Sequence, residues 1–244
     1  MNRLTPIFLL LLSPSIFALE KSICGIDDRI PSHDLKVGRA LYSETATDGC
    51  TVTMISKDCA ISVGHCHKYF KLIEFNTPAS DEEGINYSAK EDVYKVDESS
   101  VIYSNAGPGN DWAVMKLLPN AHTQKYAGAA QGFYELDYTV PESKALISIT
   151  GHGYDVEVER SFAQQNGIGY LESVGRTGVI RHKVDTTGGN SGSSIINLKS
   201  GKIIGVHSHG GCSNSHYGYA TNLGTSVATN LNFKTAIQAC LKSE

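Results

Sequence analysis

The sequence predicts an all-β fold followed by one C-terminal helix. Short runs rich in β-branched and aromatic residues recur along the chain, and each is bounded by Gly, Asn, Asp or Ser. This pattern is typical of antiparallel strands joined by turns in a sandwich or a barrel. Near the C-terminus the apolar residues recur at helical spacing instead. The 244 residues are ample to bury a core.

The predicted strands lie on either side of a connection that carries Gly, Pro and Asn. Before it are strands at 39–42, 51–55, 60–63, 71–75, 93–96, 101–103 and 112–117. After it are strands at 145–150, 169–172, 178–183, 194–197, 202–207 and 219–223. A chain of this length suits one or two domains.

The C-terminal helix has a single apolar face. Its members recur at i, i+3, i+4, i+7 and i+8, and they are Phe233, Ala236, Ile237, Cys240 and Leu241. We expect this face to dock on the β-structure, with Cys240 pointing inward. Either Asn230 or Asn232 could cap the first turn, since an asparagine side chain accepts hydrogen bonds from free helical N–H groups.

Residues 1–18 have the pattern of a secretory signal peptide. Arg3 gives a positive start, 7–12 form an apolar core, and Ala18 is a suitable residue for cleavage. The apolar run is too short for a membrane anchor, which needs about 20 residues. The folded part should therefore be 19–244, exported to the extracellular space or the periplasm.

Charge and cysteine content narrow the function classes. The net charge is −4 and no basic patch alternates with aromatic residues, so neither a nucleic acid nor a membrane is expected as a partner. An even number of cysteines in an exported chain implies disulfides. The six are Cys24, Cys50, Cys59, Cys66, Cys212 and Cys240.

The candidate nucleophile is Ser191, in the run Thr-Thr-Gly-Gly-Asn-Ser-Gly-Ser-Ser over 186–194. Glycines on both sides put the hydroxyl on a tight turn with little bulk beside it. The N–H groups of Gly189 and Ser191 can point at one spot and form an oxyanion hole.

Two upstream residues complete a catalytic triad. His65 lies in Val-Gly-His-Cys, and Asp111 opens an apolar strand. A serine hydroxyl needs a base, which His65 would supply, while Asp111 would hold the imidazole in the correct tautomer. The order is His, Asp, Ser, with separations of 46 and 80 residues.

With this order of motifs, the chain resembles the trypsin-like serine peptidases. Within them it is most similar to the bacterial glutamyl-endopeptidase branch. The closer likeness rests on Gly-Ile-Asp-Asp-Arg at 25–29, on 186–193, and on Gly-Val-His at 205–207. The resemblance spans roughly 23–241.

The resemblance implies a fold and an activity. The fold is a pair of six-stranded antiparallel barrels packed together, with the crossover within 119–141 and the helix at the C-terminus. The activity is that of a secreted, monomeric serine endopeptidase, which cleaves proteins or peptides through an acyl-enzyme on Ser191 and needs no cofactor.

The resemblance also suggests disulfide pairs. A Cys50–Cys66 bridge would clamp the loop of the catalytic histidine. The other four cysteines allow three pairings. We favour Cys59–Cys240, because the strand before the histidine should lie near the closing helix. We favour Cys24–Cys212, because the mature N-terminus in this branch lies near the specificity pocket.

Asn190 departs from trypsin, where the residue before the nucleophile is an aspartate that pairs with the new N-terminal amine. An asparagine carries no charge and cannot form that ion pair. We therefore expect that any activation of this chain does not use the trypsin switch.

Two signals for substrate preference conflict. Asp185 lies six positions before Ser191, where an aspartate in trypsin selects Arg or Lys. Thr186 and His207 instead match residues that bind glutamate in glutamyl endopeptidases. The resemblance places His207 in a strand that lines the specificity pocket, together with Ser208, His209 and Gly210. We favour cleavage after Glu, with Asp185 turned away and bonded to the backbone, and keep cleavage after Arg or Lys as the alternative.

Other interpretations of these residues carry less weight. His207 and His209, with His216 nearby, could suggest zinc, but no fourth ligand at fixed spacing is evident, so no metal is expected. Trp112 should be a core residue. Four further histidines should be ordinary surface or loop residues, and these are His67, His122, His152 and His182. A catalytically silent binding homologue and an esterase with the same triad are the rival functions.

Overall fold

The computed structural model describes residues 22–212 and 220–242. The predicted signal peptide at 1–18 lies outside these residues. The described chain begins with an extended segment that leads into a short strand, β1 (Ile30–Pro31), and then forms two β-barrels.

The first barrel closes six antiparallel strands in the order β2-β3-β4-β7-β6-β5. The strands are β2 (Val37–Leu41), β3 (Cys50–Met54), β4 (Cys59–Ser62), β5 (Leu72–Glu74), β6 (Val93–Asn105) and β7 (Asp111–Leu117). A short 3-10 helix, Gly64–Tyr69, follows β4, and a second, Lys90–Asp92, precedes β6.

The second barrel is a ring of six antiparallel strands in the order β9-β10-β13-β12-β11-β8, closed by pairing between β8 and β9. The strands are β8 (Leu146–Gly151), β9 (Gln165–Val174), β10 (Val179–His182), β11 (Ser194–Asn197), β12 (Lys202–His209) and β13 (Asn222–Ser226). A 3-10 helix, Val158–Arg160, lies between β8 and β9. The expected pair of six-stranded barrels is thereby confirmed.

The N-terminal segment belongs spatially to the second barrel. β1 precedes the first barrel in sequence, yet it pairs with β9, with Ile30 opposite Asn166 and Pro31 opposite Gln165. The barrels are connected by residues 118–145, a stretch that contains the expected crossover and one short helix, α1 (Ala127–Gln131).

Several strands differ from their sequence prediction. β1 was not predicted, and β9 runs over Gln165–Val174 where a strand at 169–172 was expected. The predicted strands at 93–96 and 101–103 form the single strand β6, whose register shifts between Asp97 and Ile102. Within that irregularity the Ser100 hydroxyl accepts the Lys116 N–H at 2.8 Å and replaces a ladder bond. The predicted strand at 219–223 instead begins at Asn222 and continues to Ser226, because buried polar residues that give no apolar pattern also pair in the barrel. Position 219 lies outside the described residues.

The C-terminal helix, α2 (Leu231–Lys242), docks on the first barrel as expected. Phe233 is fully buried and stacks on Trp112 of β7, with ring centroids 5.4 Å apart. Burial of an aromatic side chain of this size contributes about 1.5–3 kcal/mol. Asn230 is the cap, since its Oδ1 accepts the Phe233 N–H at 2.9 Å. No helix among the described residues is long and apolar enough to cross a membrane.

The structure contains three disulfides. They join Cys50 to Cys66, Cys59 to Cys240, and Cys24 to Cys212, with Cα–Cα distances of 6.2, 6.1 and 4.9 Å. These are the pairs expected from the sequence. The bridge from Cys59 fixes α2 to β4. The bridge from Cys24 joins the N-terminal segment to Cys212, in the stretch that follows β12.

Candidate active site

His65 is held by a close backbone approach at the end of β4. It lies in the 3-10 helix Gly64–Tyr69. A Cβ added at Gly64 would lie 2.0 Å from the carbonyl oxygen of Ser104, so only glycine lets this turn approach β6 so closely. The His65 side chain keeps about a third of its surface exposed (33%), which leaves room for a substrate.

Asp111 is fully buried and orients His65 through both carboxylate oxygens. Its Oδ2 lies 2.6 Å from His65 Nδ1, and its Oδ1 accepts the His65 backbone N–H at 3.1 Å. A carboxylate on Nδ1 holds the imidazole proton there, which leaves Nε2 as the basic nitrogen. The Thr225 hydroxyl in the second barrel accepts the Asp111 N–H and donates to the Asp111 carbonyl at 2.7 Å, so the pair is tied to both barrels.

The turn around Ser191 has its carbonyl groups tied back into the protein. The Ser191 carbonyl accepts the Thr51 N–H at 2.8 Å, and the Gly189 carbonyl accepts the Thr51 hydroxyl at 3.0 Å. Gly189 has φ +95, and a Cβ there would lie 2.3 Å from the His152 carbonyl oxygen. Thr51 on β3 thus holds the turn from the opposite barrel.

The N–H groups of Gly189 and Ser191 are left free. The Gly188 carbonyl accepts the Tyr154 N–H at 2.8 Å, and the Asn190 carbonyl accepts the Ser193 N–H at 3.0 Å. In a planar trans peptide the N–H points away from the carbonyl, so the N–H groups of Gly189 and Ser191 point away from these contacts. Neither N–H donates to any protein group in the described part of the chain.

The two halves of the site meet at the disulfide beside His65. The Cys66 sulfur lies 3.9 Å from the Ser191 carbonyl oxygen. Cys66 directly follows His65 and is bonded to Cys50. The ring of His209, at the end of β12, is 5.9 Å from the His65 ring between centroids. The structure therefore brings all three candidate triad residues to the junction of the barrels.

Asp185 is buried, and backbone N–H groups use both of its oxygens. Its Oδ1 accepts the Cys24 N–H at 2.5 Å, and its Oδ2 accepts the Asp28 N–H at 3.2 Å. Burial raises the pKa of Asp185, and the two N–H donors oppose this rise. The carboxylate is thus bonded to the N-terminal segment.

His207 lies directly beside the nucleophile turn. Its N–H donates to the Ser193 carbonyl at 2.8 Å, and its own carbonyl accepts the Gly192 N–H at 2.9 Å. The ring is buried, and its Nδ1 lies 3.2 Å from Nε2 of His182. Burial holds the pKa of His207 well below its usual value and lowers the pKa of His182 to about 3.

A chain of hydrogen bonds sets the tautomers of this histidine pair. The Val184 N–H donates to His182 Nδ1 at 3.3 Å, so that nitrogen is an acceptor and the proton sits on Nε2. His182 then donates to His207 Nδ1, which leaves the His207 proton on Nε2. His207 is therefore a neutral ring with a hydrogen-bond donor at Nε2.

Asn222 joins the N-terminal segment to two other stretches of the chain, 184–186 and 211–212. Its Oδ1 accepts the N–H groups of Gly211 and Cys212 at 2.9 and 3.3 Å. Its Nδ2 donates to the carbonyl oxygens of Ser22 and Val184 at 2.6 and 2.8 Å, and to the Thr186 hydroxyl at 3.2 Å. Thr186 is fully buried by these contacts.

The other candidate residues follow His207 along the chain. The Ser208 hydroxyl is buried and contacts His209 Nδ1 at 2.9 Å and the Leu223 carbonyl at 3.4 Å. Gly210 directly follows the end of β12 and is partly exposed. Burial lowers the pKa of His209.

A single group of potential metal ligands occurs among the described residues: Cys50, His65 and Cys66, whose ligand atoms lie within 4.8 Å of one another. The two sulfurs are bonded to each other, so neither is available as the thiolate that zinc requires. His216, the third histidine of the zinc interpretation, lies outside the described residues.

Comparison with known proteins identifies the family. The sequence profile of the Trypsin family matches residues 27–229, which is most of the chain. The chain belongs to the trypsin family of serine endopeptidases. The solved structure of a Glu endopeptidase in complex with MPD superposes with a TM-score of 0.69 at 18% identity, covering 91% of this chain and 100% of that one. At this identity the match shows the shared fold.

A curated relative has local similarity as well. The glutamyl endopeptidase of Staphylococcus epidermidis is 30% identical over 110 residues, which are 45% of this chain and 37% of that protein. The matched stretch therefore spans little more than a third of the length of the relative.

The structure corrects the prediction for one histidine. His182 is fully buried in β10, so its interpretation as a surface or loop residue is wrong. His182 lies two positions after the buried Ile180 in β10, so the alternation of the strand turns both side chains inward, a signal that the sequence prediction did not use. His152 lies in the loop after β8, where it is fully buried, and His67 and His122 are exposed. Trp112 is buried in the core, as expected. Three further residues that hold the site were also missed, and these are Thr51, Tyr154 and Asn222.

Proposed function

We propose that this chain is a serine endopeptidase with Ser191 as nucleophile, His65 as general base and Asp111 as the residue that orients the base. The observation that carries the proposal is the combination of the 2.6 Å contact between Asp111 and His65 with the free N–H groups of Gly189 and Ser191. A binding module would need neither feature.

The reaction follows from these groups. Ser191 attacks the scissile carbonyl while His65 Nε2 takes the hydroxyl proton. The oxyanion that develops accepts hydrogen bonds from the N–H groups of Gly189 and Ser191. His65 then gives the proton to the leaving amine, and water releases the acyl group by the same steps in reverse. Asp111 stabilises the imidazolium, which is a charge-assisted contact of about 1.5–3 kcal/mol.

The preferred residue before the scissile bond is glutamate. His207 supports this preference, because its Nε2–H can donate to a carboxylate beside the nucleophile turn. Cleavage after Arg or Lys would need Asp185 as an ionic partner, but both of its oxygens already accept N–H groups of the N-terminal segment. A substrate lysine would have to displace those bonds.

Secretion is part of the proposal. The pattern at 1–18 is that of a signal peptide, and the three disulfides are stable in an oxidising compartment outside the cytosol. The substrates are proteins or peptides, and we expect a monomer that acts without a cofactor.

A fluorophosphonate probe tests the nucleophile. We expect stoichiometric labelling of Ser191, identified by mass spectrometry of the labelled peptide, and no labelling of a Ser191→Ala control. A correctly folded wild-type protein that is not labelled would identify the chain as a silent homologue. A peptide library should then show cleavage after Glu, and comparison of peptide with ester turnover would separate an endopeptidase from an esterase.

A further inference from the structure

Arg29 is a buried cation with every donor satisfied. Its side chain is 1% exposed. Nε and Nη2 donate to the two oxygens of Asp27 at 2.9 and 2.6 Å, and Nη2 also donates to Asp155 Oδ2 at 3.2 Å. Nη1 donates to the Thr187 hydroxyl at 2.8 Å and to the Tyr154 carbonyl at 3.4 Å. The five N–H groups of the guanidinium thus have five acceptors.

Three of these acceptors are carboxylate oxygens, which balance the charge of the guanidinium. The other two belong to Thr187 and Tyr154, the residues that hold the nucleophile turn. The Thr187 hydroxyl donates to the Tyr154 carbonyl at 2.7 Å, so Arg29 closes a three-way contact with both residues. The N–H of Tyr154 donates to the Gly188 carbonyl. The Gly188 carbonyl shares a peptide plane with the Gly189 N–H, a free donor of the proposed oxyanion hole.

We propose that Arg29 is a positioning residue for catalysis, which fixes the Gly189 N–H in the oxyanion hole through Thr187 and Tyr154. The inference rests on the proposed function, since it concerns the oxyanion hole of that same site. It gives a role to the Gly-Ile-Asp-Asp-Arg segment at 25–29, which the triad does not use.

A buried guanidinium such as that of Arg29 requires contacts that compensate for its lost hydration. Moving a guanidinium out of water is costly, and the cost is recovered only where charges and hydrogen bonds surround it completely. Burial raises the pKa of Asp27, but hydrogen bonds and the charge of Arg29 outweigh this and leave the pKa below its usual value. Asp27 therefore stays ionised and holds Arg29 in place at neutral pH.

Arg29 also lies close to Asn190. A Cβ added at Gly153 would be 2.8 Å from Arg29 Nη1, 2.5 Å from Thr187 Oγ1 and 2.9 Å from Asn190 Oδ1. The three side chains thus surround one small residue directly behind the nucleophile turn. Lysine could not replace arginine here, because an ammonium has three donors and lacks the planar fork.

The test compares Arg29→Met and Thr187→Val with a matched control, Arg160→Met. Arg160 pairs with the same Asp155 and donates to the Arg29 carbonyl at 2.7 Å, but it has no bond to the turn. For Arg29→Met and Thr187→Val we expect kcat to fall roughly 10- to 100-fold with KM within about threefold, since loss of a whole oxyanion donor costs about 100- to 1,000-fold. Arg160→Met should keep kcat within about twofold.

A second readout separates positioning from a structural role. A peptide aldehyde forms a hemiacetal with the nucleophile and uses the oxyanion hole, whereas a matched peptide with a methyl group in place of the aldehyde has no oxygen to place there. We expect Arg29→Met to weaken aldehyde binding by about the same factor as kcat, while the affinity for the methyl analogue stays unchanged. The double variant Arg29→Met/Thr187→Val should be no worse than either single variant, because both act through one contact.

Each result decides the question. If Arg29→Met and Arg160→Met lose equal amounts of kcat and aldehyde affinity, or if neither loses any, the inference is wrong. If Arg29→Met does not fold, Thr187→Val alone must show the selective loss, and a normal kcat there refutes the inference. A wild-type protein that the fluorophosphonate fails to label refutes the proposed function, and the inference with it.

Discussion

The two sides of the active site are built in different ways. On the first barrel, His65 and Asp111 are joined directly at 2.6 Å, and both belong to that one barrel. On the second barrel, the Ser191 turn and the pocket depend on residues far away in the sequence. Asp185 accepts a hydrogen bond from Cys24, which is 161 positions away in the sequence. Asn222 donates a hydrogen bond to Ser22, which is 200 positions away.

The two sides therefore have different proposed roles, because the first carries the chemical step and the second positions the groups around it. A direct pair needs the right residue types at two places, and its loss should remove the proposed reaction itself. The second side is a set of shared hydrogen bonds among the N-terminal segment, the turn and the pocket walls. Loss of one of those bonds should change rate, preference or stability by smaller amounts, because the others persist.

The largest effect should come from the direct side. Ser191→Ala should lower kcat by roughly 10⁴- to 10⁶-fold while the melting temperature changes little, because the hydroxyl is the reacting group. His65→Ala should have a similar effect, and the double variant should be no worse, since the triad acts as a unit. Steady-state kinetics on a peptide substrate and calorimetry measure both. A Ser191→Ala protein that keeps more than about one per cent of activity would contradict the triad.

The same difference explains what the sequence could predict. His65, Asp111 and Ser191 lie in short motifs, and the strands around them are apolar, so local patterns are sufficient to propose them as a triad. Thr51 and Asn222 are single polar residues with no motif around them, and the motif that ends at Arg29 gives no sign of what its side chain contacts. Their contacts exist only once the barrels and the N-terminal segment have come together. Disulfide pairing was accessible through resemblance, because the helix face and the pocket already suggested which cysteines would meet.

An intermediate effect is expected at His207. His207→Ala should lower kcat/KM on a Glu substrate by about 10-fold or more, because it removes a charge-assisted hydrogen bond of about 1.5–3 kcal/mol. Turnover of a substrate with Gln at the same position should fall less, since its amide carries no charge. Equal losses on the two substrates would show that His207 shapes the pocket without recognising the carboxylate.

His182 should act on stability through pH. Its pKa is about 3 in the folded protein and about 6.5 when unfolded, so the unfolded chain binds more protons between these values. The stability contributed by the neutral ring is complete above pH 6.5 and is lost as the pH falls toward 3. Thermal unfolding across this range should show a flatter dependence for His182→Gln than for wild type. The exposed His33 provides the control, since His33→Gln should leave the slope unchanged; equal slopes for wild type and His182→Gln would contradict the assignment.

The smallest effect on preference is expected at Asp185, the residue that in trypsin selects basic substrates. Because its oxygens accept the N–H groups of Cys24 and Asp28, Asp185→Ser should cost about 1–3 kcal/mol of stability by removing the charged acceptor of two partly buried N–H groups. The ratio of kcat/KM for Glu over Lys substrates should change by less than about twofold. Asp185→Asn keeps one acceptor and should recover part of the stability without altering the ratio. A wild type that prefers Lys, and loses that preference in both variants, would instead make Asp185 part of the pocket, and the two sides of the site would then both act on substrate directly.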